Sequence, residues 1–216
     1  MITIEYEHLV AFSVALIIAF FSTPIARRIA FRAGAVNVPR DGRRMHKKPM
    51  PLLGGLAIIA GFVIAVVYGF ASRDIPEFLF FLTQPKSLGL ISGALIIVVL
   101  GIVDDIRPLK AGIKFVFQLL AAIVVVGTGT RITSITLPFT MGTDNGMTYI
   151  LGETIAFVIS VLWIAGVTNA INLIDGLDGL AAGVSGIASV SLFIVAVIRR
   201  EDDIALAAVS LAGAIF

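Results

Sequence analysis

Cysteine is absent from this sequence, and charged residues occupy only 14% of its 216 positions. Without cysteine the chain can form neither a disulfide bond nor a thiolate metal site. The shortage of charge, together with 58% hydrophobic residues and a mean hydropathy of +1.05, excludes a soluble protein built around one apolar core. Composition therefore predicts an all-α polytopic membrane protein, with residues 1–216 forming a single transmembrane domain.

Polar breaks divide the chain into apolar runs of roughly membrane-spanning length. A transmembrane helix needs about 20 apolar residues, so these runs predict a helical bundle of about seven spans. The first run follows Glu5 and Glu7 instead of a basic segment, and we therefore expect a retained helix rather than a signal peptide. The expected spans are 9–25, 54–71, 88–103, 115–127, 150–167, 180–198 and a run that begins at Ile204.

The last run is short for a membrane span. From Ile204 to Phe216 it would make about 20 Å of helix, whereas roughly 30 Å of hydrocarbon must be crossed. We therefore expect the sequence to be a fragment of a longer protein.

Basic residues predict the orientation of the bundle. Eight of them crowd the first polar break, whereas the second break holds only Arg73 and Lys86. Because cytoplasmic loops carry the excess of lysine and arginine, we expect the first break in the cytoplasm and the N-terminus outside. Counting alternate sides places 104–114 and 169–179 in the cytoplasm, and it places 131–149, where a short hairpin is expected, outside. The basic residues of the first break are Arg27, Arg28, Arg32, Arg40, Arg43, Arg44, Lys47 and Lys48.

The first cytoplasmic break ends in a segment suited to phosphate. Residues 46–55 read HKKPMPLLGG, in which lysines supply positive charge, prolines stiffen the chain and glycines allow the backbone to approach a ligand. The alternative is a topology signal followed by a glycine pair that packs helices.

Two adjacent carboxylates end the third expected span. Asp104 and Asp105 repel each other and are costly to desolvate at a membrane edge, so a cation, a base role or a strong hydrogen-bond donor should compensate them. Mg²⁺ is the natural candidate, because it takes one or two protein carboxylates and completes its shell with water and phosphate oxygens. The alternative is a solvated helix end in which Asp105 pairs with Arg107 or Lys110.

The third cytoplasmic break carries polar residues every three positions, in the stretch NAINLIDGLDGL at 169–180. In a helix or tight turn Asn169, Asn172, Asp175 and Asp178 drift along one side and can converge on one ligand. The alternative makes Asn169 a helix C-cap and Asp178 an N-cap, which leaves the two middle residues unexplained. All three motifs fall on the expected cytoplasmic side, where UDP-sugars and Mg²⁺ occur.

Together with the helix start at 114–118, these segments resemble the polyprenyl-phosphate N-acetylhexosamine-1-phosphate transferase family, which includes phospho-MurNAc-pentapeptide translocase and the GlcNAc-1-phosphate transferases. The resemblance extends from about Asn37 to the last residue, and the form of 46–55 is closer to the GlcNAc-1-phosphate branch. Family members continue through another metal-binding aspartate and a histidine-bearing loop, which lie beyond this sequence. Some also carry an acidic residue where this sequence has Arg107 and Pro108.

The resemblance implies a Mg²⁺-dependent transferase, with Mn²⁺ as a substitute, that moves a sugar-1-phosphate from a UDP-sugar to undecaprenyl phosphate and releases UMP. This would be the first membrane step of cell-envelope polymer synthesis. The alternatives are a phospho-MurNAc-pentapeptide transferase and, from another class, a membrane transporter, whose site would lie nearer the bilayer midplane. The expected partners are the UDP-sugar, undecaprenyl phosphate, the lipid bilayer and a second copy of the chain, without nucleic acid. The expected location is the bacterial cytoplasmic membrane, with the active site on its cytoplasmic face.

The resemblance also implies roles for individual residues. Asp104 would be the base or would position the lipid phosphate, with Asp105 as its partner near the metal. Lysines would contact phosphates, and Asp178 would accept hydrogen bonds from uracil. The implied catalytic residues are Asp104 and Asp105, the implied metal ligands are Asp105 and Asp175, and the implied substrate-binding residues are Lys47, Lys114, Asn169, Asn172, Asp175 and Asp178.

Overall fold

The computed structural model describes residues 5–37, 49–137, 147–176 and 179–216. Over these residues the chain forms eight helices and two antiparallel strand pairs. The helices are α1 (Tyr6–Ala33), α2 (Gly55–Arg73), α3 (Ile75–Thr83), α4 (Pro85–Ile106), α5 (Ala111–Gly127), α6 (Glu153–Ile174), α7 (Leu180–Arg199) and α8 (Asp202–Ile215). Strand β1 (Val36–Asn37) pairs with β2 (Met50–Pro51), and β3 (Ser134–Leu137) pairs with β4 (Met147–Ile150).

Each expected span corresponds to one helix, and the all-α polytopic membrane fold is confirmed. Five helices, α1, α2, α4, α6 and α7, are long and apolar enough to cross a membrane. α5 is apolar but has only 17 residues. The helices continue beyond the apolar runs, because a polar residue can still extend the backbone hydrogen-bond ladder. α1 ends only where Gly34 adopts a left-handed φ of 74° and its N–H donates to the Ala30 carbonyl.

One helix, α3, was not expected from the sequence. Its nine residues lie in the break between the second and third spans. The side chain of Asp74 caps it, since Oδ1 accepts the N–H of Glu77 at 3.0 Å. Phe78 stacks on Phe70 of α2, with ring centroids 6.1 Å apart. A helix of nine residues has too few turns to show a clear 3.6-residue pattern, so the sequence of this break does not predict a helix.

The chain folds as two compact units, each with its own core. Unit 1 comprises Met1–Phe78, Gly101–Pro108 and Ile174–Phe216, and so contains α1, α2, α7 and α8. Small side chains bring its helices close together, as is typical of membrane helix packing. At Gly61 of α2, a Cβ would lie only 2.6 Å from the carbonyl oxygen of Ala15 in α1. One buried cluster consists of Ala15, Ala19, Ala65 and Ala214.

Within unit 1, α8 has more buried residues than any other helix, because it packs against α1, α2 and α7. Leu206 is fully buried, next to Ala11 of α1 and Phe193 of α7. The seventh apolar run therefore forms an interior helix of this unit.

Unit 2 comprises Leu79–Leu100 and Leu109–Leu173, and so contains most of α4 together with α5, α6 and the β3–β4 pair. Its core lies between α5 and α6, where Ala122, Val126, Val161 and Ala165 are buried. The β3–β4 pair confirms the strands of the expected hairpin in 131–149, and the hydroxyl groups of Thr136 and Thr148 lie 3.0 Å apart across it. The expected turn through 142–146 lies outside the described residues.

Candidate active site at one end of the helices

Arg73 marks one end of unit 1. Its Nε lies 2.6 Å from Glu7 Oε2 and its Nη1 lies 3.1 Å from Asp203 Oδ1. These contacts bring together the start of α1, the end of α2 and the start of α8. The alternation expected from the sequence requires these three points to share one side of the membrane, and the ion pairs agree with it.

The opposite end of unit 1 is built around Leu53. Its side chain is buried with Ala30 and Ala35, and Ile102 from the end of α4 packs against the same cluster. The neighbouring N–H of Leu52 donates to the Ala35 carbonyl at 2.9 Å, next to the β1–β2 pair. The segment that leads into α2 is therefore fixed both to the end of α1 and to the end of α4.

A hydrogen bond between described residues joins two of the sequence motifs at this end. The N–H of Leu53 donates to Asp105 Oδ2 at 2.8 Å, although the two residues are 52 positions apart. A strong donor was one of the three forms of compensation expected for the Asp104–Asp105 pair. Successive helix residues point about 100° apart, so Asp104 is directed away from this contact. Both carboxylates are partly buried.

The later part of the third motif, from Ile174 onward, belongs to unit 1. α7 packs on α8, with Phe193 against Leu206, and a short turn at Arg200 and Glu201 connects the two helices. Since α8 starts beside Arg73, α7 ends there and starts at the other end. Asp175, five residues before α7, is therefore near the Leu53 end of the unit. Asp178 lies outside the described residues.

Unit 2 places its candidate residues at one end as well. Arg131, just beyond α5, has its guanidinium 5.6 Å from the ring centroid of Phe157 in α6, and the N–H of Ile132 donates to Ser160 Oγ at 2.8 Å. The end of α5 thus meets the start of α6, and the two helices are antiparallel. It follows that Lys114 in the first turn of α5 and Asn169 and Asn172 in the last turns of α6 share the opposite end.

The expected site residues are therefore distributed over both units. Asp104, Asp105 and Asp175 belong to one end of unit 1, whereas Lys114, Asn169 and Asn172 belong to one end of unit 2. Among the described residues, no group of three or more histidine, cysteine, aspartate or glutamate side chains could hold a metal ion by itself. Lys47, like Asp178, is outside the described part of the chain, so its placement stays a prediction.

Two residues at these ends were not singled out from the sequence as candidates for a role. Leu53 has a φ of 61°, a left-handed conformation that is uncommon for residues other than glycine. A leucine in the sequence does not predict this conformation. Gln118 lies one helical turn after Lys114, is only 4% exposed, and its Oε1 has no hydrogen-bond partner within the described structure. A glutamine inside an apolar helix is a signal that could have identified it.

The fold and the acidic helix ends define a class: a helical membrane protein with acidic and polar residues at the ends of its helices. The particular family follows from sequence comparison. The profile of glycosyl transferase family 4 matches residues 87–216, and the chain belongs to this family.

Two relatives illustrate the likeness. A Bacillus subtilis (strain 168) protein named "Probable undecaprenyl-phosphate N-acetylglucosaminyl 1-phosphate transferase" is 43% identical over 162 residues, which cover 75% of this chain and 40% of the relative. A "Decaprenyl-phosphate N-acetylglucosaminephosphotransferase" from Mycobacterium tuberculosis (strain CDC 1551 / Oshkosh) is 34% identical over 156 residues, which cover 68% of this chain and 36% of the relative. The chain thus spans well under half the length of these relatives.

Proposed function

We propose that this protein transfers GlcNAc-1-phosphate from UDP-GlcNAc to undecaprenyl phosphate and releases UMP, as the first membrane step in the synthesis of a cell-envelope polymer. The observation that carries the proposal is the Leu53–Asp105 hydrogen bond, which joins the segment after the basic cluster to the carboxylate pair. The names of the relatives support the choice of a polyprenyl phosphate as acceptor and of N-acetylglucosamine as the sugar.

The reaction needs little covalent chemistry from the protein. A phosphate oxygen of the lipid attacks the β-phosphorus of the UDP-sugar, the bond from that phosphorus to the bridging oxygen breaks, and UMP leaves with the bonding electrons. The product is a polyprenyl diphosphate sugar. Phosphoryl transfer of this kind depends mainly on in-line positioning and on neutralisation of the transferring oxygens. Charged side chains at a membrane edge can provide both.

Asp104 is the residue that we assign to the lipid phosphate. It removes a proton from that phosphate or holds it in line, beside the Asp105 that the Leu53 N–H orients. A double displacement, in which Asp104 itself becomes phosphorylated before the lipid accepts the group, uses the same residue as a nucleophile. The two routes differ in whether UMP is released by the protein in the absence of the lipid.

The donor set at this end of unit 1 fits Mg²⁺. Asp105 and Asp175 offer hard carboxylate oxygens, and Mg²⁺ commonly takes only one or two protein carboxylates while water and substrate phosphates complete its shell. When bound, the ion would neutralise charge on the diphosphate.

The remaining residues bind the donor. The roles that we assign from the family resemblance are phosphate contact for Lys47 and Lys114, the diphosphate and metal for Asn172 and Asp175, substrate binding for Asn169, and the N3–H of uracil for Asp178. The bilayer is the bacterial cytoplasmic membrane, the site faces the cytoplasm, and a second copy of the chain completes a homodimer. The concentration of basic residues in the first break supports this orientation.

UMP release by the full-length protein in detergent tests the function. The protein is given undecaprenyl phosphate with UDP-GlcNAc, UDP-GalNAc or UDP-MurNAc-pentapeptide, and Mg²⁺ is removed and restored. We expect sustained UMP release only with lipid acceptor, Mg²⁺ and the GlcNAc donor, whereas a single equivalent of UMP without lipid would indicate the double displacement. Release with the MurNAc-pentapeptide donor alone would reassign the substrate, and no release with any donor would contradict the proposal.

A further inference from the structure

Leu53 is held from three directions. Its N–H donates to Asp105, its side chain is 4% exposed in a cluster with Ala30 and Ala35, and the N–H of the preceding residue donates to the Ala35 carbonyl. Its own carbonyl then accepts the N–H of Leu56 at 3.1 Å and so begins the first turn of α2. The connection between β2 and α2 therefore depends on this residue.

The backbone of Leu53 is also strained. A non-glycine residue in the left-handed region persists only where its surroundings hold it there. The surroundings of Leu53 that hold it are the buried cluster and the carboxylate of Asp105. If the carboxylate is lost, the N–H of the strained Leu53 loses its charged acceptor.

The end of α4 holds Leu53 twice. Ile102 packs against its cluster, and Asp105, three residues later on the same helical face, accepts its N–H. Because Asp104 adjoins Asp105, any movement of Leu53 relative to α4 also moves the start of α2 relative to the carboxylate assigned to the lipid phosphate.

We infer that Asp105 is a positioning residue, whose side chain holds the strained Leu53 turn and thereby sets the segment that follows the basic cluster at a fixed distance from Asp104. This inference rests on the proposed function and deepens it, since the resemblance gives Asp105 a catalytic role and a place at the metal but no part in holding a backbone turn. Asp105 orients the phosphate-binding segment through hydrogen bonding, which a neutral acceptor can reproduce.

Thiol labelling of the full-length protein in membranes tests the positioning directly. The 216 residues contain no cysteine, so Leu52→Cys introduces one probe beside the turn, and any cysteine elsewhere in the full-length protein is first replaced by serine. Asp105→Ala should raise the labelling rate of that cysteine on the order of tenfold, because loss of one hydrogen bond to a charged group opens the turn by about that factor. Asp105→Asn keeps an acceptor oxygen and should remain within about twofold of the parent.

Two matched variants make the test specific. Asp104→Ala removes the adjacent carboxylate and should leave labelling unchanged while abolishing UMP release. Ile102→Ala weakens the second attachment without touching a carboxylate and should raise labelling, so the inference stays testable where Asp105→Ala accumulates poorly.

Kinetics supply a second readout. Asp105→Ala should raise the KM for both substrates more than it lowers kcat, and Asp105→Asn should restore KM while requiring more Mg²⁺. Equal labelling in the alanine variants of Asp104 and Asp105, or no restoration of KM by asparagine, would overturn the inference. Because labelling needs no substrate, its result is independent of whether the transferase activity is found.

Discussion

The two ends of unit 1 hold their charges in different ways. At one end, Arg73 is 24% exposed and binds two carboxylates from other helices, so opposite charges lie side by side. At the other end, Asp105 accepts a hydrogen bond from a neutral backbone N–H and adjoins a second carboxylate. The first arrangement joins three helices by ion pairs. The second keeps negative charge in place next to a strained turn.

This difference separates a structural role from a chemical one. Ion pairs that neutralise each other leave little charge for a ligand, whereas a hydrogen bond from a neutral N–H does not cancel the charge of the carboxylate that accepts it. The acids near Arg73 should therefore affect stability, and the acids near Leu53 should affect turnover. Each prediction below can contradict or refine that contrast.

The largest expected effect is that of Asp104→Asn on turnover. Loss of a general base lowers the rate by about 10²–10⁴-fold, and the binding of UDP-GlcNAc should survive because the donor contacts other residues. UMP release and equilibrium binding of the UDP-sugar measure the two properties separately. The control is Asp74→Asn in the cap of α3, since asparagine caps helices as well as aspartate does. Normal turnover in Asp104→Asn would contradict a chemical role for the acids at the Leu53 end of unit 1.

A smaller effect is expected for Asp178→Ala. A buried acceptor that loses its partner costs about 1–3 kcal/mol, so the KM for the UDP-sugar should rise roughly ten- to a hundred-fold with the Mg²⁺ dependence unchanged. The N-cap of α7 is Gly179, so the matched variant Asp178→Ser, which removes the charge and shortens the side chain, tests uracil recognition and not helix capping. Steady-state kinetics of both variants test the role of Asp178. An unchanged KM in each would contradict the uracil hypothesis, and a loss of kcat alone would place Asp178 in the reaction itself.

Helix packing in unit 1 should be sensitive to one methyl group. In Gly61→Ala the new Cβ meets the Ala15 carbonyl oxygen and then Ala19, so α1 and α2 must separate and stability should fall by about 1–3 kcal/mol. Gly183 in α7 has no heavy atom within 4 Å of the corresponding Cβ position, and Gly183→Ala is the matched control. Thermal unfolding in detergent measures both. Equal melting temperatures would show that α1 and α2 can adjust without cost.

The smallest expected effect is that of Arg73→Ala. Its two carboxylate partners are 39% and 67% exposed, so water and salt weaken the pairs, and a loss of about 1 kcal/mol or less is expected. The loss should shrink further at high salt, whereas turnover should stay near normal. Thermal unfolding at two salt concentrations, together with UMP release, measures this. A collapse of turnover in Arg73→Ala would mean that the two ends are not functionally distinct.

The candidate site was only partly accessible from the sequence. The motifs at 104–105 and 169–180 could be recognised because each is contiguous, and the alternation of spans predicts that they lie on one side of the membrane. The role of Leu53 could not be predicted, because a positive φ at a leucine has no local signal. Nor could the hydrogen bond to Asp105, because it joins residues 52 positions apart and depends on the path of two helices.

By itself the sequence determined the membrane class and the approximate positions of the described helices other than α3. Apolar runs of sufficient length leave helices as the structure that satisfies every backbone group in lipid, and this argument needs no tertiary information. Only the tertiary structure decided that α8 is an interior helix of unit 1, that Arg73 joins three helix ends, and that a carboxylate expected near a metal also holds a backbone turn. These features depend on which helices pack together, and periodicity along a single helix carries no information about its neighbours.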